Sequence, residues 1–91
     1  MTYQEIATAT ASHQLPIAAT NEHGENVTIE HRHFENKRCF KLTTAQHNGW
    51  CRIDYIYDDG LLETTYSRCS YTRRNHEQNL WLRHILRMRS D

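Results

Sequence analysis

Residues 38–66 read RCFKLTTAQHNGWCRIDYIYDDGLLETTY, and two turns inside this stretch set the register of three strands. Asn48-Gly49 is the dipeptide that most readily supplies two positive φ angles, and apolar and polar residues alternate on both sides of it. Asp59-Gly60 repeats the device at a spacing normal for an antiparallel meander. With two-residue loops at both turns, Phe40 falls opposite Tyr57, Leu42 opposite Tyr55, Thr44 opposite Ile53 and Gln46 opposite Cys51. The second turn then sets Leu62 opposite Tyr57, Thr64 opposite Tyr55 and Tyr66 opposite Ile53. All these residues share one face. A slip of one residue would turn a strand's whole side-chain set over, so the agreement of two turns favours this register. The other face carries Lys41, Thr43, Arg52, Asp54, Ile56, Glu63 and Thr65 and is mostly wettable.

Working outward, Asn26 to Phe34 alternates well enough for a further strand, with a tight turn at Glu35-Asn36. That turn sets Val27 opposite Thr44, Ile29 opposite Leu42 and His31 opposite Phe40, extending the apolar face, while Glu30 meets Lys41 on the wet one. Leu15 to Thr20 reads as a short edge strand that tolerates Pro16, and Asn21 to Glu25 as the turn after it. Residues 2–13 read as a short helix, with Thr2 and Glu5 at capping-box spacing and Tyr3, Ile6, Ala7, Thr10 and Ala11 on one stripe.

The end of the chain reads as a second helix, opened by Asn75, Glu77 and Gln78, with Trp81, Leu82, Ile85, Leu86 and Met88 as its apolar face. The expected fold is therefore a single α+β domain over 1–91. It has an antiparallel meander of four to five strands, a C-terminal α-helix packed on one face and a short N-terminal helix.

At 91 residues the chain is long enough for one core, and its formal net charge is zero. The signs are segregated, with acid before Arg32 and arginine dominating the end. Three cysteines without a secretory signal suit a reducing compartment better than a disulfide framework, and no apolar run reaches membrane-spanning length. The expectation is a cytoplasmic protein without membrane contact.

No catalytic constellation is legible. His31 and His33 share a strand face as a pair of imidazoles would, but Phe40 and Arg38 opposite them supply no third metal ligand. Cys39, Cys51 and Cys69 lack Cys-x-x-Cys spacing; Cys69 has a basic neighbourhood, and Cys51 reads as a small core residue. Glu30, Asp54 and Glu63 imply no paired-carboxylate cleft, and all three glycines serve turns, which leaves none for a phosphate loop. No cofactor, metal or catalytic residue is expected.

Two surfaces remain. Arg32, Phe34, Trp50, Arg52 and Ile56 fall together on the wet sheet face, where an uncovered Trp beside Arg has the character of an interaction hot spot. Arg73, Arg74, Arg83 and Arg87 form a basic row able to follow a phosphate backbone. The leading expectation is a small non-enzymatic binding or regulatory module acting by protein contact. Nucleic-acid binding through the Arg-rich end is the alternative, and a small enzyme or metal-binding protein comes third. An edge strand or the wet face could also support a homodimer.

Overall fold

The computed structural model describes residues 1–68 together with Leu86. Its elements are α1 (Tyr3–Thr10), β1 (Ile17–Thr20), β2 (Asn26–Phe34), β3 (Lys37–Ala45), β4 (Trp50–Tyr57) and β5 (Leu62–Arg68). The strands form one antiparallel sheet in chain order. The expected architecture needs correcting: α1 is the one helix, and no C-terminal helix is seen among the described residues. The helix expected after Asn75 lies outside them, apart from Leu86, which is buried in the core. Among the described residues, the sheet face is closed by Ile6 of α1 together with Leu86, a residue of the apolar face expected for the last helix; Trp81, Leu82 and Ile85 lie outside them.

Thr2 starts α1 from an extended conformation, its hydroxyl accepting from the Glu5 amide at 3.2 Å and so satisfying one of the open donors of the first turn. The helix stops at Thr10, short of the expected residue 13. There the Thr10 hydroxyl donates to the Ile6 carbonyl at 2.8 Å, a local bond that competes with helix continuation. Ile6 and Thr10 are its buried stripe. Ile6 meets Ala19, Val27, Ile29, Phe40, Leu42, Ile56 and Leu86 in one cluster, which places α1 on the face of the sheet that these strand residues share.

β2 and β3 pair as the sequence predicts, and β1 is the short edge strand expected before them, beginning at Ile17 and not at Leu15. Val27 faces Thr44, Ile29 faces Leu42, His31 faces Phe40 and Glu30 faces Lys41. Asn21 organises the β1–β2 turn, its Oδ1 accepting from the amides of His23 at 3.0 Å and Glu25 at 2.9 Å.

β4 does not follow the expectation. Phe40 faces Ile56, Leu42 faces Asp54 and Thr44 faces Arg52, and beyond β4, Leu62 faces Ile56, Thr64 faces Asp54 and Tyr66 faces Arg52. The cause lies in both turns. The Gln46 amide donates to the Trp50 carbonyl at 2.8 Å and the Gly49 amide to the Gln46 carbonyl at 3.3 Å, so three residues, His47 to Gly49, make the loop. The Tyr57 amide likewise donates to the Leu61 carbonyl at 2.9 Å and the Gly60 amide to the Tyr57 carbonyl at 3.1 Å. Only the glycines take positive φ, +84° at Gly49 and +95° at Gly60. This is the three-residue hairpin in which a type I turn is followed by a left-handed residue, not the two-residue type I′ loop. Asn48 and Asp59 serve it with their side chains, accepting from the Trp50 and Leu61 amides at 3.0 Å each.

One added residue per loop turns β4 over while β3 and β5 keep their faces relative to each other. Ile56 and Asp54 thus replace Tyr57, Tyr55 and Ile53 on the α1 side, and the two tyrosines move to the opposite face.

Candidate functional site

The five residues grouped from sequence as one interaction surface lie on two faces. Arg32 and Phe34 are on the face opposite α1, together with Cys39, Lys41, Ile53, Tyr55 and Tyr57, whereas Trp50, Arg52 and Ile56 went with β4 to the α1 side. Ile56 is a core residue at 4% exposure. Arg52 donates from Nε to Asp54 Oδ1 at 3.2 Å, and Trp50 carries the Arg68 guanidinium 5.5 Å above its ring.

On the face away from α1, β2 and β4 bring three aromatic rings together across β3. Phe34 meets Tyr55 edge-on with centroids 6.3 Å apart, and Tyr55 stacks beside Tyr57 at 6.5 Å. Lys37 Nζ lies 5.5 Å from the centre of the Tyr57 ring. Cys39, between Arg32 and Tyr57 in the ladder, is free and fully buried. Burial pushes its thiol pKa up, with Arg32 opposing, which suits a packing residue and not a nucleophile. Phe34 stays 48% exposed and is the apolar prow of the cluster.

Charge around these rings is matched. Arg32 donates to Glu30 at 3.1 Å, Lys37 pairs with Asp59 at 2.8 Å and the Tyr57 hydroxyl donates to Glu63 at 3.3 Å. The Tyr57 phenol is pushed up in pKa by desolvation and then by the Glu63 charge. Hydrogen bonding to Lys37, and to the Leu61 amide, draws the Asp59 carboxyl down, and the same Asp59 bond raises Lys37.

The α1 side offers less chemistry. Asp54, at 2% exposure, accepts from Arg52 and from the Thr64 hydroxyl at 2.7 Å, a buried ionic knot that fastens β5 to β4. The Tyr3 hydroxyl lies 3.3 Å from His31 Nε2, and both rings rest on Phe40, so His31 helps seat α1. A cavity of about 280 Å³ where β1 stops short of β2 is lined by Leu15, Pro16, Glu30, His31 and Arg32. Its one ion pair is Glu30 with Arg32. Among the described residues no three His, Cys, Asp or Glu side chains converge to hold a metal ion, and no helix is long and apolar enough to cross a membrane.

Cys51 departs from expectation. It is disulfide-bonded and lies on the face opposite α1, paired with Ala45. It is thus neither a core residue under α1 nor a free thiol. Cys69 and the basic row Arg73, Arg74, Arg83 and Arg87 lie outside the described residues.

Sequence reasoning missed Tyr55 and Tyr57 by placing them in the core. The available signal was their hydroxyls, which suit an open face better than Ile56 does, but Asp54 shares the Ile56 side and pulled the other way. Compared with known proteins, the chain matches no family model, no curated protein and no solved structure.

Proposed function

We propose that this chain is a small non-enzymatic binding module that works by protein contact, receiving its partner on the sheet face that α1 leaves open. The observation that carries this reading is Phe34, half-exposed at the edge of an aromatic cluster with Tyr55 and Tyr57 and rimmed by paired charges. An apolar aromatic centre with a polar rim is the composition of a protein interface. The rim also argues for the class of partner. Arg32 is paired with Glu30 and Lys37 with Asp59, and Glu63 offsets Lys41 by count, whereas a phosphate backbone is bound by an excess of basic groups.

The test is affinity capture from the native host with the intact chain and with Phe34→Asp. Phe34 is exposed enough for the charge to be tolerated without loss of fold, checked by an unchanged melting temperature. The expected result is a protein held by the natural chain and lost by the variant. A partner retained equally by Phe34→Asp would overturn the reading. So would recovery of nucleic acid alone with affinity falling log-linearly with salt.

A further inference from the structure

β5 ends the sheet, and among the described residues no strand lies beyond it. All seven of its residues are exposed. The ladder shows which backbone groups face outward. Because the Tyr57 amide donates to the Leu61 carbonyl, Tyr57 and Leu61 are a hydrogen-bonded pair. The alternation of antiparallel pairs then turns the amides and carbonyls of Glu63, Thr65 and Ser67 towards β4. Leu62, Thr64 and Tyr66 present theirs to the open edge.

Those same residues carry the largest exposed apolar side chains, Leu62 at 58% and Tyr66 at 59%, with Trp50 beside them. Of the devices that commonly protect an edge, proline, lysine and a bulge are missing from this strand, whose charged residues are Glu63 and Arg68. Its register against β4 runs unbroken from Leu62 to Arg68.

We infer that β5 is a self-association edge, on which a second copy of this chain adds its own β5 antiparallel about a twofold axis at Thr64. This surface is separate from the face proposed for the partner. In that register Leu62 lies opposite Tyr66 of the second copy, and Tyr66 opposite its Leu62, both as hydrogen-bonded pairs with apolar side chains in contact. Charge favours the same arrangement. The β4–β5 hairpin has an acidic tip, Asp58-Asp59, and a basic far end, Arg68; the twofold at Thr64 sets Arg68 level with Gly60 of the second copy, next to those carboxylates.

Neighbouring registers lose one feature or the other. An axis at Glu63 sets two carboxylates against each other, one at Thr65 sets Leu62 against Arg68, and one at Tyr66 leaves Leu62 outside the overlap. The contact is isologous and uses the one β5 edge of each copy, so it closes at the dimer. Being a strand edge and not a broad face, it gives a weak dimer.

The experiment is sedimentation velocity on the full chain from about 10 μM to about 1 mM, with Leu62→Lys/Tyr66→Lys as the variant. The natural chain is expected to shift from monomer to dimer across the range, and the variant to remain a monomer with its far-UV spectrum intact. A natural chain that stays monomeric throughout, or a dimer that survives in the folded variant, overturns the inference. Amide hydrogen exchange on the natural chain keeps the test decisive even where the variant misfolds. The Leu62, Thr64 and Tyr66 amides are expected to slow with rising protein concentration, while those of Glu63, Thr65 and Ser67, already bonded to β4, do not change. Concentration-independent exchange at Leu62, Thr64 and Tyr66 refutes the proposed edge.

Discussion

Leu42 faces Asp54 across the β3–β4 ladder, so a carboxylate almost without solvent contact stands in the row of side chains that closes the core. Removing a charge from water is costly unless it is paired and hydrogen-bonded. Asp54 meets that condition through the Arg52 Nε–H and the Thr64 hydroxyl. The arrangement ties a residue of β5 to one of β4 beneath the apolar cluster, and it exists because both hairpin loops hold three residues.

Breaking that knot one member at a time should therefore be expensive. Asp54→Ala removes the carboxylate that accepts from the Arg52 Nε–H and the Thr64 hydroxyl in a site where the Arg52 side chain is 13% exposed, and is expected to destabilise by about 3–5 kcal/mol. Thr64→Val removes one hydroxyl donor to a charged acceptor and is expected to cost about 1.5–3 kcal/mol. The two losses are expected to be strongly non-additive, because both act on the same carboxylate. Denaturant titration of the single and double variants measures this. Additive losses would mean that Thr64 and Asp54 contribute separately.

The knot also marks the limit of what the sequence discloses. Local patterning is sufficient for β2 and β3, where Val27, Ile29, Phe40 and Leu42 alternate cleanly, and Thr2 announces α1. It fails for β4 because IDYIY holds an apolar side chain on each face, Ile53 and Tyr55 on one and Ile56 on the other. With alternation uninformative, the decision rested on turn length, and Asn-Gly and Asp-Gly occur in two-residue and three-residue loops alike. Agreement between the turns could not expose the error. Each loop gained one residue, and two equal shifts leave β3 and β5 on matching faces. A buried Asp54, satisfied by a residue of the next strand, is not visible to a reading that expects carboxylates to face water. Consequently the grouping of Trp50 and Arg52 with Phe34 dissolved, and the aromatic face around Tyr55 took its place.

The Lys37–Asp59 pair anchors the second turn to the β2–β3 hairpin, and its pH dependence has a definite sign. The Asp59 carboxyl is held below its ordinary value of 3.8 by the Lys37 hydrogen bond first and the Leu61 amide next. A depressed carboxyl contributes stability that is present above its ordinary value and lost as pH falls through the folded one. Lys37 is raised above its ordinary 10.5, so its share is present below that value and lost as pH rises through the raised one. Asp59→Asn is therefore expected to melt slightly below the natural chain at neutral pH, with the gap closing under acid as pH drops below the ordinary carboxyl value. Both groups are exposed, so the gap is small and shrinks with salt. A difference that persists unchanged into strong acid would assign the effect of the substitution to the turn and not to the ion pair.

The three-residue loops make the last prediction. Gly49 and Gly60 alone hold positive φ in their turns, and a Cβ added at either would meet nothing within 4 Å. The cost of a side chain there is thus conformational and not steric. For an L-residue in the left-handed region it is about 1–2 kcal/mol, so Gly60→Ala should lower stability by that amount. D-alanine at the same position finds this φ natural and removes freedom only from the unfolded chain. It is expected to stabilise by roughly 0.4–1 kcal/mol, or a rise of about 2–8 °C in melting temperature for a domain of this size. The two enantiomers, introduced at Gly60 by chemical ligation and compared by thermal unfolding, should move stability in opposite directions. Equal losses for both would mean that the added methyl group, and not the handedness of the backbone, is what the turn rejects. The three-residue geometry that turns β4 over, and with it the assignment of Tyr55 and Tyr57 to the open face, would then be untenable.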